Sequence, residues 1–305
     1  MNATVQWIVI ASLLTVVAGP LLWGAVGVLR SRGAAASLSP RSEWSWRPTL
    51  HSTALYAFSF SLIFFIQELF LVVPKALTPG LRPTLFHNNH HWDGDNPLAH
   101  LFQGTGALAI LLVAIACTVW LKLRPPRGMG WRLFAIWMAF HGYFQSLPQI
   151  VVGSVVPQND VGMAFDYLQL GAGTKFALGL MALPLIAALA IGFARPLLAL
   201  APQAGDIATP GRRSGFIFRI ATLPALLALP LIIAMRVPGS LDQVAIVPVA
   251  EFVIGVWWLQ AAAWSTASAR PAGIAPARSL AVPMAAVIAQ LLIFQLVLRP
   301  GIAFF

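Results

Sequence analysis

Charge is scarce in this sequence. Only 9% of its 305 residues are Asp, Glu, Lys or Arg, against roughly a quarter in soluble globular chains, and 59% are hydrophobic, with a mean hydropathy of +0.81. That shortage excludes an ordinary soluble domain and makes the chain an integral membrane protein. Cysteine is nearly absent as well: Cys117 stands alone inside an apolar run, so no internal disulfide forms, thiols say nothing about the redox compartment, and the residue reads as small packing material. Long polar stretches are missing too. The longest polar connections, Ser31 to Ser52 and Pro196 to Gly215, are too short to bury a core of their own, so residues 1–305 read as a single transmembrane domain. The apolar runs are continuous rather than alternating, which excludes a β-barrel. No basic residue precedes the first apolar stretch, Trp7 to Leu29, whose first arginine is Arg30, so it reads as a retained helix rather than a secretory signal.

What is present is a series of apolar runs, each long enough to cross a hydrocarbon core of about 30 Å. Spans are expected at about 6–29, 54–78, 97–122, 133–156, 164–194, 216–236, 243–264 and 280–298, an all-α bundle of eight helices whose partner is the lipid bilayer. The net charge of +10 does not signal nucleic acid, because the basic residues sit in short connections between spans. Fourteen of them, Arg30, Arg32, Arg41, Arg47, Lys122, Arg124, Arg127, Arg132, Arg195, Arg212, Arg213, Arg219, Arg270 and Arg278, follow odd-numbered spans or begin even-numbered ones; only Lys75, Arg82, Arg236 and Arg299 mark the opposite side. The positive-inside rule then sets both termini outside the cytoplasm, in what reads as a bacterial inner-membrane protein.

Polarity is uneven along the chain. Spans two to five, about 54–194, hold most of the interior polar residues, whereas spans six to eight, about 216–298, offer Glu251 and a few glutamines and read mainly as scaffold. The densest stretch is "HNNHHWDGDNPLAH", residues 87 to 100, with four of the six histidines. Asp95 and Asn96 before Pro97 form a helix-start signal. His87, His90, His91, His100 and Asp93 remain as candidate ligands for a divalent metal, zinc, iron or manganese, because imidazole with carboxylate suits such ions. "HNNHH" also matches one histidine box of membrane di-iron desaturases, but those enzymes spread more histidines over several boxes than the six found here.

In span four, "AFHGYFQSLPQIVVG" spaces His141, Gln145 and Gln149 at four-residue steps along one helical face, a stripe that faces the bundle interior either as interhelical glue or as a substrate or ion path. Glu68, in "FFIQELFLVVPKAL", is a mid-helix carboxylate costing about 2.5–3.5 kcal/mol on insertion unless paired or protonated. Lys75 lies two turns on, towards the interface; Lys175 of span five, at a comparable depth, is the expected partner. Glu251 poses the same question with less company. Asp160 is expected to cap span five, with Asp166 further along that helix, in a loop on the histidine side.

"FIQELFLVVPKAL", the later "NP" and "NDVGMAFDY" together resemble, in degenerate form, the layout of site-2-protease-like intramembrane zinc metallopeptidases, over about a third of the chain. The resemblance implies Glu68 as the general base of a His-Glu-x-x-His helix and Asp160 as the later aspartate, a catalytic pair; Gln67 and Leu71 stand where that motif has its histidines, so peptidase activity is not inherited. "LPQIVVGSVVPQNDVGMAFDYL" is similar to a segment of uncharacterised bacterial polytopic membrane proteins. Three functions follow: a membrane-embedded metal-dependent hydrolase with an outward metal site, a proton-coupled or small-solute transporter using Glu68, His141 and Lys175, or a non-catalytic assembly subunit. Convergence of the loop histidines with Glu68 and Asp160 would favour the enzyme; a chain of polar groups across the bilayer would favour the transporter.

Overall fold

The computed structural model describes residues 3–32, 39–43, 45–266, 269–274 and 279–305; Arg278, counted above among the basic loop residues, lies outside them. The long helices are α1 (Ala3–Ser31), α2 (Trp46–Ala76), α3 (Leu98–Leu123), α4 (Met129–Gly153), α6 (Ala172–Leu198), α7 (Pro210–Arg236), α8 (Asp242–Ser265) and α9 (Ala281–Leu298), with a short α5 (Asp160–Tyr167) between α4 and α6. Seven are long and apolar enough to cross a membrane. The other, α4, has the length, at 25 residues, and lies in the centre, against α2, α3 and α6. Every residue from Ala135 to Leu147 is buried, so α4 meets protein on all sides and has no need of a lipid-compatible face. At the other extreme α1 presents Trp7, Leu13, Leu14, Leu21 and Leu22 outward, as a lipid-facing helix must.

Local chemistry sets the helix starts. Ser45 accepts a hydrogen bond from Arg47 N at the head of α2, and Thr209 accepts from Arg212 N at the head of α7, where Pro210 fills the first helical position. Asn96 Oδ1 accepts from Leu98 N at 3.0 Å, as the helix-start signal before Pro97 foretells. The fifth expected span is corrected: a turn at 168–171, with Gln169 at φ 54, separates α5 from α6, so Asp166 is not on the spanning helix, and Asn159, not Asp160, supplies the cap. The apolar run of 164–194 hid that break. Helix packing is close where glycine allows it. A Cβ on Gly142 of α4 would meet Ile110 O of α3 at 2.6 Å, an approach that only a missing side chain permits.

The connections sort onto two ends. After α2 comes a hairpin, β1 (Arg82–Leu85) and β2 (His90–Asp93), antiparallel, with β3 (Ile302–Ala303) pairing on the far edge of β1. Its turn residue Asn88 donates to Arg236 O and Pro238 O, beyond α7, and Asp160, beyond α4, joins the same end through Gln103. At the opposite end Ser42 N donates to Asp206 Oδ1 at 2.9 Å and Ala272 N to Ala199 O at 3.0 Å, tying the connections after α1, α6 and α8.

Candidate functional site

The hairpin folds back over the bundle, and its strand geometry decides what each histidine does. Successive residues of a strand point to opposite faces. His90 and Trp92 therefore face inward, their rings stacked 5.8 Å apart, while His91 and Asp93 face water and pair only with each other at 3.3 Å. His87 lies buried in the turn with Nε2 donating to Arg236 O at 3.2 Å, and His100 is exposed on α3. Burial pushes the His87 imidazole below its usual pKa, against the backbone hydrogen bonds that favour its charged form. The expected metal set is thus dispersed: adjacent His90 and His91 cannot share an ion across the strand, and among the described residues no group of three or more His, Cys, Asp or Glu is arranged to hold one. The donor set does not fit zinc, iron or manganese.

Beneath the hairpin, His90 enters a polar cluster. Its Nδ1 is 2.8 Å from Glu68 Oε2, and its Nε2 is 2.9 Å from Gln103 Oε1 and 3.4 Å from Lys75 Nζ. Lys75, fully buried, also donates to Leu71 O at 2.9 Å and Gln103 Oε1 at 2.7 Å, and its ammonium lies 4.5 Å from the Trp92 ring centre. Gln103 Nε2 donates to Asp160 Oδ1 at 3.0 Å, bringing the second carboxylate in. The expected Glu68–Lys175 pair is corrected. Lys175 bonds Asp166, nine residues earlier and on the surface, while Glu68 takes His90 and sits near Lys75. Lys175 lies in the first turn of α6, at the surface, whereas Glu68 is buried about two turns inside the end of α2, so neither depth nor side matches.

His90 has two hydrogen-bonding states available in this setting. As an imidazolium it donates from both nitrogens, to Glu68 and to Gln103; as a neutral ring it donates to Glu68 and accepts at Nε2 from Lys75. Asp160, in the connection outside the spans, is pushed up to about 6, first by burial and then by the Glu68 carboxylate, with His90 and Lys75 opposing. A carboxyl raised above its ordinary 3.8 favours the fold when protonated, so the stability it contributes is complete below about 3.8 and is lost as pH rises through about 6. The thermal midpoint of Asp160→Asn is accordingly expected to vary less over that window than that of the wild type. Parallel curves would overturn this.

A second polar group lies deeper. His141 Nδ1 of α4 bonds Glu251 Oε1 of α8, both fully buried. Glu251 ends an α-helical turn and is followed by a wider π-helical segment, Phe252–Val256, a local departure common at functional positions. The rings of Tyr56, Phe60, Phe140 and Trp137 surround His141, Tyr56 edge-on at 4.4 Å. Tyr56 Oη, Ser59 Oγ, His141 Nε2, Gln145 Oε1 and Glu251 Oε2 are buried with no hydrogen-bond partner among the described residues. Gln145 Nε2 donates to Phe60 O and Gln149 Nε2 to Gln67 Oε1 and Gln145 O, so polar side chains of α4 are anchored along α2 between this group and the Glu68 cluster without a hydrogen bond to either.

The chain matches no protein-family model, no curated protein and no solved structure.

Sequence reasoning missed Lys75, placed too near the interface; Gln103 and Tyr56, ordinary residues in apolar runs; and the company of Glu251. The signal for Lys75 was present. It lies at i+7 from Glu68, two turns along the same face.

Proposed function

We propose that this integral membrane protein is a proton-coupled transporter of small solutes. The observation that supports it best is the choice open to His90 between Gln103 and Lys75, in a buried cluster that also holds Glu68 and Asp160. On α2 polar residues occur at Thr49, Ser52, Tyr56 and Ser59 and again at Gln67, Glu68 and Lys75, over about 39 Å at 1.5 Å per residue, the two groups separated by the mainly apolar stretch 60–66. Ser52 accepts from Trp137 Nε1 of α4 at 3.0 Å, and the His141–Glu251 pair lies beside Tyr56 and Phe60, nearer to Thr49 than to Lys75 along α2. Ionisable groups inside a membrane are expensive and are kept in proton relays and substrate paths. The hydrolase reading has less support: Gln67 is engaged with Gln149, Leu71 offers only its carbonyl, and the loop histidines part company. Glu68 and Asp160 do share one network through His90 and Gln103, but no histidine stands at the two ligand positions of the site-2-protease-like motif.

The test needs no known solute. Proteoliposomes on a solid-supported electrode, exposed to a pH jump, are expected to give a transient charge displacement from proton entry, cut at least about tenfold in Glu68→Gln, the scale on which single buried charges act. A wild-type signal equal to that of empty liposomes sinks the proposal.

Orientation follows from the same reading. The histidine end is proposed to face away from the cytoplasm, since among the described residues thirteen basic side chains belong to the other end against five here, once Lys175 is counted. In a Cys117→Ala background, cysteines at the exposed positions Asp95 and Gln158 should react with an impermeant maleimide from outside, and one at Arg127 only after permeabilisation. Labelling of all three from one side would reverse this.

A further inference from the structure

At the end opposite the histidine hairpin, the bundle opens into a cavity of about 730 Å³ that belongs neither to the Glu68 cluster nor to the His141–Glu251 pair. Its wall carries four guanidinium groups, from Arg41, Arg47, Arg212 and Arg219, against two carboxylates, Glu43 and Asp206. Asp206 is already engaged: Oδ1 accepts from Ser42 N, and Oδ2 accepts from Ser42 Oγ and Gln203 N. These donors are neutral, so the Asp206 charge remains and the wall carries a formal net charge of +2, four guanidiniums against two carboxylates. Arg212 is held at the wall through Nη1, which donates to Ser39 O at 2.9 Å and Gly205 O at 2.7 Å. Hydroxyls of Ser42, Ser45 and Thr49 and the rings of Phe216 and Pro48 complete the lining, a mixture of cationic, hydroxylic and apolar surface.

We infer that this cavity is a binding site for a phosphoryl anion. Guanidinium forks match phosphate oxygens bidentately, and several arginines around one concavity concentrate positive potential there. Two sources offer that chemistry, the headgroup of an anionic phospholipid and a free phosphate-bearing solute. Basic pockets between helices at the arginine-rich end of membrane proteins take the first, and the cavity volume is within the range of small-ligand sites.

The experiment uses the full chain in mixed micelles. Tryptophan fluorescence and thermal shift are followed while phosphatidylglycerol replaces phosphatidylcholine, and separately while inorganic phosphate is added. Arg41→Gln with Arg47→Gln, both exposed on the cavity wall, is compared with Arg124→Gln plus Arg127→Gln, exposed at the same end but off the cavity. The cavity variant is expected to weaken saturable binding by about tenfold or more, the scale of a lost charge-assisted hydrogen bond, with the control pair near wild type. Saturation by phosphatidylglycerol alone identifies the headgroup; saturation by phosphate identifies a free anion. Absence of saturable binding to either, or equal weakening in both variants, overturns the inference, the second outcome revealing only a diffuse positive surface.

Discussion

Replacing His141 by alanine is expected to destabilise the purified protein by about 3–5 kcal/mol, because it leaves Glu251 as an unpaired carboxylate in the interior. The surrounding rings of Tyr56, Phe60, Phe140 and Trp137 keep the local dielectric low, which strengthens the pair while it is intact and magnifies the cost when it is broken. Removing both members, as His141→Leu with Glu251→Leu, should cost less than the two single changes together by about 1–3 kcal/mol. Unfolding in mild detergent, followed by circular dichroism, measures all three variants. Additive losses would mean that the contact carries no coupling energy. If the double variant folds well yet loses the pH-jump response, the pair serves transport rather than stability.

Lys75→Met is the second large effect. The ammonium bonds Gln103 and His90, the two groups that join Asp160 to Glu68, and without it those carboxylates keep Gln103, His90 and the charge of Arg236. A loss of about 3–5 kcal/mol is expected, partly recovered when Glu68→Gln is added. Lys175→Met should change stability by no more than about 1 kcal/mol, since its pair with Asp166 is at the surface, where water screens it. These two lysines discriminate sharply between the arrangement seen in the structure and the Glu68–Lys175 pairing that the sequence suggests. Equal losses in the two would contradict the cluster.

The contrast also shows which features were readable from sequence. Helix number and the division of connections between two ends were legible, because a bilayer imposes run length and basic residues concentrate in loops. So were Asn96 as a cap, Glu68 as a residue needing a partner, and the inward stripe of His141, Gln145 and Gln149. Partners were not legible. Helical spacing gives the face of a residue on its own helix but not which neighbouring helix rotates towards it, so Glu251 could not be assigned to His141, nor Asp160 to Gln103. The histidine loop misled for a different reason. Read as a turn, it allows His90 and His91 to act together; as a strand, it sends them to opposite faces. The short runs of polar residues in 81–97 hold no clear two-residue period; the pairing that imposes it on β2 is with β1, whose far edge is in turn closed by residues 302–303, more than 200 positions away.

That last pairing has a consequence for how the protein is made. Strand β1 is synthesised after α2, but its outer edge stays open until Ile302 and Ala303 emerge, after all the long helices. For most of translation the cover over Glu68 and Lys75 is therefore a two-stranded hairpin, marginal on its own in water, with an exposed edge that can pair wrongly. Insertion of the final helix and closure of the charged cluster thus become a single late event, and a ribosome stalled before α9 would leave a bundle already threaded through the membrane but still open to water above its buried charges.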